Sequence, residues 1–153
     1  MSQIVLAAIM TALLVPHLVV SQEKPIKQSD LPAVVARTVT AEGKGATLRG
    51  LSQEKEKGKT VYEAEFTLNG HNRDVLIDAA GAVVEVEEEV EMASLPPAVQ
   101  AGLKTAAGTG QITRIEALTK KGVLVAYEAQ VKTAGKRSEV QVGPDGKPLA
   151  HKV

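Results

Sequence analysis

The sequence predicts an α+β fold in which two helix-plus-antiparallel-meander repeats form one extended antiparallel sheet, with the helices on one face. The first observation is a near-repeat, since residues 61–66 read VYEAEF and residues 126–131 read AYEAQV. The second is a proline-marked helix start before each copy, DLPAVV and SLPPAV. The third is that apolar residues change from helical to alternating spacing after each start, which indicates strands. Because strands follow each helix as a group, a doubly wound fold is excluded.

The first 21 residues are predicted to be a signal peptide, 1–21. No Asp, Glu, Lys or Arg occurs between Ile4 and Val20, and a polar stretch follows abruptly. Cleavage is expected after Ser21, with an uncleaved membrane anchor as the alternative. Residues 22–29 are predicted to be a flexible lead. The chain contains no cysteine, so an exported protein would be held together by burial alone, which favours a bacterial periplasmic or secreted location.

Two repeats make up the rest of the chain, the first over residues 30–92 and the second over 93–153. Tyr127 follows Tyr62 by 65 positions, whereas the helix starts are 64 apart, so one residue was gained between these points. A single copy has one apolar sheet face that a short helix barely covers. Two copies side by side are therefore expected to extend the sheet and pool their hydrophobic core.

The predicted helix boundaries rest on capping residues. Asp30 is expected to cap the first helix and Ser94 the second, because Asp and Ser are favoured at this position and prolines then fall in the first turn. The first helix is expected to end before Gly43, and the second near Gly108.

Aromatic residues and net charge limit the possible partners. The three aromatic residues, Tyr62, Phe66 and Tyr127, all lie in the repeated strands, where they are predicted to anchor the core. Eighteen basic and eighteen acidic residues give a net charge of zero, which argues against a nucleic-acid partner. No membrane contact is expected once the signal peptide is removed.

The most unusual segment is VVEVEEEVEM at residues 83–92. Strand alternation directs Val84, Val86 and Val90 towards the helices and the intervening glutamates to the opposite face, where Glu139 and others from neighbouring strands join them. Glu88 breaks this alternation, so a bulge or a strand end is expected there. The residues predicted to bind a partner are Glu63, Glu65, Glu85, Glu87, Glu89 and Glu128.

Three interpretations of this acidic face remain open. It could dock a basic peptide or protein, or it could be an ordinary solvated sheet face. It could also belong to an envelope protein that binds a small ligand or, weakly, a cation such as Ca²⁺. No enzymatic activity and no cofactor are predicted, since the serines lack a nucleophile elbow and the two histidines after the signal, His71 and His151, lack metal-ligand spacing.

The quoted motifs resemble a known family. The order LP…V, YEAEF, a glycine turn and VLIDAAGAVVEVE is similar to the PepSY-like module, and LPPAV, YEAQV and VQVGPDGKPL repeat it. Two tandem copies resemble the β-lactamase-inhibitor-like (BLIP-like) fold of exported proteins, over about residues 30–153. The resemblance implies a binding or inhibitory module, with peptidases or envelope proteins as partners. Inhibition of β-lactamase is not implied, because that inhibitor uses exposed aromatic residues and disulfides, and this chain has neither feature.

Overall fold

The computed structural model describes residues 23–56 and 58–153, which form one eight-stranded antiparallel sheet in the order β1 to β8, with two helices. The predicted signal peptide lies outside these residues. The elements are β1 (Lys24–Pro25), α1 (Ala33–Glu42), β2 (Thr47–Glu56), β3 (Lys59–Leu68), β4 (His71–Asp78), β5 (Val83–Glu89), α2 (Pro97–Ala107), β6 (Gln111–Lys120), β7 (Val123–Thr133) and β8 (Lys136–Val142). The predicted fold class is confirmed. Within the described part of the chain, neither helix is long and apolar enough to cross a bilayer.

The helices end where predicted but begin differently. Pro32 and Pro96 occupy the N-cap positions of α1 and α2, so the prediction of Asp30 and Ser94 as caps was wrong. Both predicted caps lie in a 3₁₀ turn that precedes each helix. Their side chains serve that turn instead, as when the Ser94 hydroxyl donates to the Glu91 carbonyl at 2.8 Å.

The predicted lead is partly built into the sheet. Lys24 and Pro25 pair antiparallel with β2, and the Ile26 N–H donates to the Leu51 carbonyl at 3.0 Å. The expectation of a flexible tether therefore does not hold at these positions. The pairing covers Ser52 and Gln53 in the middle of β2, where the backbone groups of the outer strand would otherwise be unpaired.

The hydrophobic core is divided into two clusters, so the prediction of a pooled core was wrong. The first, beneath α1, consists of Leu31, Val35, Val39, Leu51, Tyr62, Ala64, Phe66, Val75 and Ile77. The second, beneath α2, consists of Leu95, Val99, Leu103, Ile115, Ala129, Val131 and Val142. Phe66 is only 1% exposed, and the half-buried Tyr127 packs against the second cluster. Each repeat thus buries its own sheet face with its own helix.

Glu88 separates the two clusters. Val86 packs against the first cluster and Val90 against the second, and Glu88 lies between them on the same strand face. Its Oε1 is 2.8 Å from Arg73 Nε, and Arg73 also binds Glu42 at the end of α1 at 2.7 Å. Two carboxylates around one guanidinium make this position tolerable on the helix face.

The register shifts at four places among the described strands, and two of these shifts bear on the sequence predictions. In β5 the register with β4 shifts between Leu76 and Ile77, so Val83 rather than Val84 packs against the first cluster. A bulge or a strand end was expected at Glu88. The bulge lies at Val84 instead, and β5 ends one residue after Glu88. In β7, Val125 is the extra residue, because Leu118 pairs with Ala126 whereas Thr119 pairs with Leu124. Val125 accounts for the residue gained between the repeats.

The turn after the third meander strand touches the helix in both repeats. In the first, the Thr38 hydroxyl donates to the Gly81 carbonyl at 2.6 Å. The equivalent of Thr38 in the second repeat is Gly102, where an added Cβ would lie 2.0 Å from the Gly146 carbonyl oxygen. A hydrogen bond in one repeat is therefore replaced by direct backbone packing in the other.

Candidate functional site

The sheet face opposite the helices carries a row of carboxylates that runs across the strands. Alternate residues of a strand point to the same face, so each strand can contribute to such a row about every 4.8 Å. We call it the acid row, and it has one member from each strand between β3 and β8: Glu63, Asp74, Glu87, Glu116, Glu128 and Glu139. These side chains line an open cavity of about 430 Å³.

Strand register brings members of the acid row directly opposite one another. Asp74 pairs with Glu87 across β4 and β5, and Glu116 pairs with Glu128 across β6 and β7. Carboxylate oxygens of Asp74, Glu87 and Glu116 all lie within 4.8 Å of one another. Like charges placed directly opposite in a sheet repel, so this arrangement disfavours the fully ionised row.

Burial strengthens this effect. It raises the pKa of Glu87 from 4.5 to about 8, with further contributions from the charges of Glu116 and Glu85. Burial also raises the pKa of Glu63 to about 7, although a hydrogen bond from the Ser52 hydroxyl at 3.3 Å opposes the shift. The pKa values of Asp74, Glu116 and Glu128 are raised as well, each mainly by burial. Part of the acid row therefore holds protons at neutral pH.

Basic side chains compensate the row incompletely. Arg114 Nε lies 3.0 Å from Glu116 Oε1 but without the alignment of a hydrogen bond, and Arg49 NH2 binds Asp74 Oδ1 at 3.0 Å. Among the described residues, seven acidic and two basic side chains line the cavity. The acid row is thus a largely half-buried surface on which carboxyl groups outnumber basic side chains.

Three of the six predicted binding residues belong to the acid row, namely Glu63, Glu87 and Glu128. Glu85 lines the same cavity but forms an ion pair with Lys120 at 3.0 Å. These four residues therefore lie on the sheet face opposite the helices, and their role in binding a partner stays a prediction.

The other two predicted residues lie beside the row. Glu65 Oε2 is 3.3 Å from Arg49 NH1, and Glu89 accepts a hydrogen bond from the Asn72 backbone N–H at 3.0 Å. Arg49 is shared with Asp74 of the acid row. The register also places Glu65 directly opposite Asp74 and Glu89 directly opposite Glu116.

Asp74 and Glu116 were not among the predicted binding residues. Asp74 could have been found from the sequence, because it precedes Glu139 by 65 positions, the same shift that aligns Glu63 with Glu128. Glu116 has no such signal, since its equivalent at a shift of 64 is Ser52. Repeat alignment would therefore have recovered one of the two.

Comparison with protein-family models gave no match, and comparison with curated proteins gave none either. Solved structures do share the fold. A protein from Bacteroides eggerthii, assigned provisionally to the periplasm, matches with TM-score 0.64 and 17% identity over 78% of this chain and 86% of that one. A DUF2874 family protein from Bacteroides ovatus matches with TM-score 0.61 and 18% identity over 78% and 84%. A BLIP-like protein from Bacteroides fragilis matches with TM-score 0.59 and 19% identity over 80% and 85%. At these identities the similarity establishes the fold.

Proposed function

We propose that this protein is a non-enzymatic, exported binding module whose acid row docks a cationic segment of another protein or a peptide. The observation that carries the proposal is the acid row itself, in which half-buried carboxylates face one another across the strands with few cations between them. A lysine or arginine side chain from a partner would supply the missing charge. A peptidase is one candidate partner, and inhibition would then result from occlusion.

The energetics of the row favour a cationic ligand. Raised pKa values mean that the free protein stabilises the neutral carboxyl form over the ionised one. A bound ammonium or guanidinium group reverses this preference, so binding should release protons and weaken in salt. Six strands place the row over about 24 Å, which an extended segment of roughly seven residues would span.

The fold comparison supports the class of protein and its location. One similar structure belongs to a BLIP-like protein and another to a protein placed provisionally in the periplasm. Both agree with the predicted signal peptide, and with a protein that acts by binding rather than by catalysis. The resemblance to PepSY modules stays a prediction from the sequence.

A second candidate function is binding of a divalent cation such as Ca²⁺. The specific observation in its favour is the group Asp74, Glu87 and Glu116, whose carboxylate oxygens lie within 4.8 Å of one another. Carboxylate oxygens are the ligands that Ca²⁺ prefers.

Isothermal titration calorimetry distinguishes the two functions. The titrants are Ca²⁺ and a peptide of about nine alternating lysine and serine residues. We expect the wild type to bind the peptide, and the double variant Glu87→Gln and Glu128→Gln to bind it about tenfold more weakly. The matched control Glu56→Gln and Glu91→Gln removes the same charge outside the row and should bind as the wild type does.

The alternative outcomes are also decisive. Heat of binding with Ca²⁺ but not with the peptide would refute the docking function and support the cation-binding function. Heat with neither titrant would refute both functions.

A further inference from the structure

The last residues of the chain lie against one end of the acid row. After β8, an isolated bridge pairs Val142 with Pro148 and turns the chain back. Lys152 Nζ then lies 3.4 Å from Glu139 Oε2, and the Val153 backbone N–H donates to Gln141 Oε1 at 3.0 Å. Lys152 and Val153 line the same cavity as the acid row.

These contacts combine a cation with a backbone amide. Lys152 supplies an ammonium group to a row carboxylate, and Val153 supplies an N–H to a side-chain carbonyl. Gln141 is oriented for this role, because its Nε2 donates to Glu128 Oε2 at 2.7 Å and leaves Oε1 free to accept. The equivalent residue in the first repeat is Leu76, which offers no acceptor, so the pair of contacts is particular to the second repeat.

We propose that residues 149–153 are an intramolecular competitor that occupies the β7–β8 end of the acid row, and that the partner displaces them. This inference rests on the proposed function and specifies the partner further. The partner carries a lysine on an extended segment, and its backbone N–H takes the place of the Val153 N–H at Gln141.

The exposure of the contact suits a displaceable occupant. The side chains of Lys152 and Glu139 are 58% and 50% exposed, and their ion pair is 3.4 Å long. Exposed pairs of this kind are weak and exchange readily with water. A competing lysine can therefore replace Lys152 without unfolding the strand beneath it.

Two single charge removals test the proposal with the same lysine–serine peptide. Lys152→Ser removes the competing ammonium group, and Lys147→Ser is the matched control because Lys147 pairs with Asp145, away from the acid row. We expect Lys152→Ser to bind the peptide about two- to fivefold more tightly than the wild type. The control should remain within about 1.5-fold of the wild type, and equal affinities for the two variants would overturn the proposal.

A measurement without peptide separates this proposal from the proposed function. In NMR spectra of the free protein, Glu139→Gln should shift the signals of the Lys152 side chain and the Val153 amide, whereas Glu91→Gln should leave them in place. Unchanged signals in Glu139→Gln would refute the proposal that residues 149–153 occupy the acid row, even if the peptide binds. Conversely, shifted signals in a protein that binds no peptide would refute the docking function while leaving the intramolecular contact established.

Discussion

Replacing Glu87 by glutamine should stabilise the protein in a pH-dependent way. Glutamine resembles the protonated carboxyl group in size and carries no charge at any pH. Glu87 lies opposite Asp74 and close to Glu116, and burial raises its pKa to about 8. The wild type therefore incurs a cost when this carboxyl group ionises, and the variant Glu87→Gln does not.

The sign and size of the effect follow from the pKa shift. In the unfolded chain Glu87 loses its proton near 4.5, and in the folded protein near 8. The folded state thus binds more protons between these values, so the stability contributed by the raised pKa is present at low pH and lost as the pH rises towards 8. The shift corresponds to roughly 4.8 kcal/mol at 1.36 kcal/mol per unit, and solvent access to the carboxyl group reduces this to about 2 kcal/mol.

Urea unfolding at pH 5 and pH 9 measures the effect. At pH 9, Glu87→Gln should exceed the wild type in unfolding free energy by about 2 kcal/mol, and at pH 5 the two should be nearly equal. Glu91→Gln, on an exposed side chain outside the row, should change stability by less than about 0.5 kcal/mol at both values. An advantage of Glu87→Gln that is absent at pH 9, or equally large at pH 5, would refute the electrostatic reasoning.

Two further predictions concern packing. Phe66→Ala should lower the unfolding free energy by about 3–5 kcal/mol, because the ring is buried in the first cluster, and a loss below half of this in urea melts would contradict its role there. Gly102→Ala should lower the melting temperature with a loss of about 1–3 kcal/mol, because the new methyl group would collide with the Gly146 carbonyl oxygen. In an unobstructed helix the same change would stabilise, so a raised melting temperature would show that the helix and the turn are not in contact.

Local sequence signals predicted the repeats, the helix ends and the faces of most strands. Tyr62 and Tyr127 marked equivalent strands, and the glycines after the helices marked their ends. The predicted helix starts were wrong. Asp30 and Ser94 have side chains that suit a helix cap, but each forms hydrogen bonds within the 3₁₀ turn that precedes the helix. Local preference does not distinguish the two uses.

The divided core and the acid row depend on contacts that are distant in the sequence. Glu88 is tolerated on the helix face because Arg73 reaches it from another strand, and this pairing is invisible in strand alternation. Strand alternation likewise predicts the sheet face on which each glutamate lies, but it does not predict which residue of the neighbouring strand lies opposite it. The sequence therefore predicted glutamates on this face from several strands. The register adds Asp74 opposite Glu87 and Glu116 opposite Glu128.

The pairing of β5 with β6 joins the two repeats, each of which has its own hydrophobic cluster. On the helix face of the sheet, the ion pair of Glu88 and Arg73 lies between the two clusters. On the opposite face, the carboxylates of Asp74, Glu87 and Glu116 lie close together and repel one another. An occupant lying across the row would replace that repulsion with attraction and fasten the halves together. Binding of a ligand would then also stabilise the contact between the two repeats.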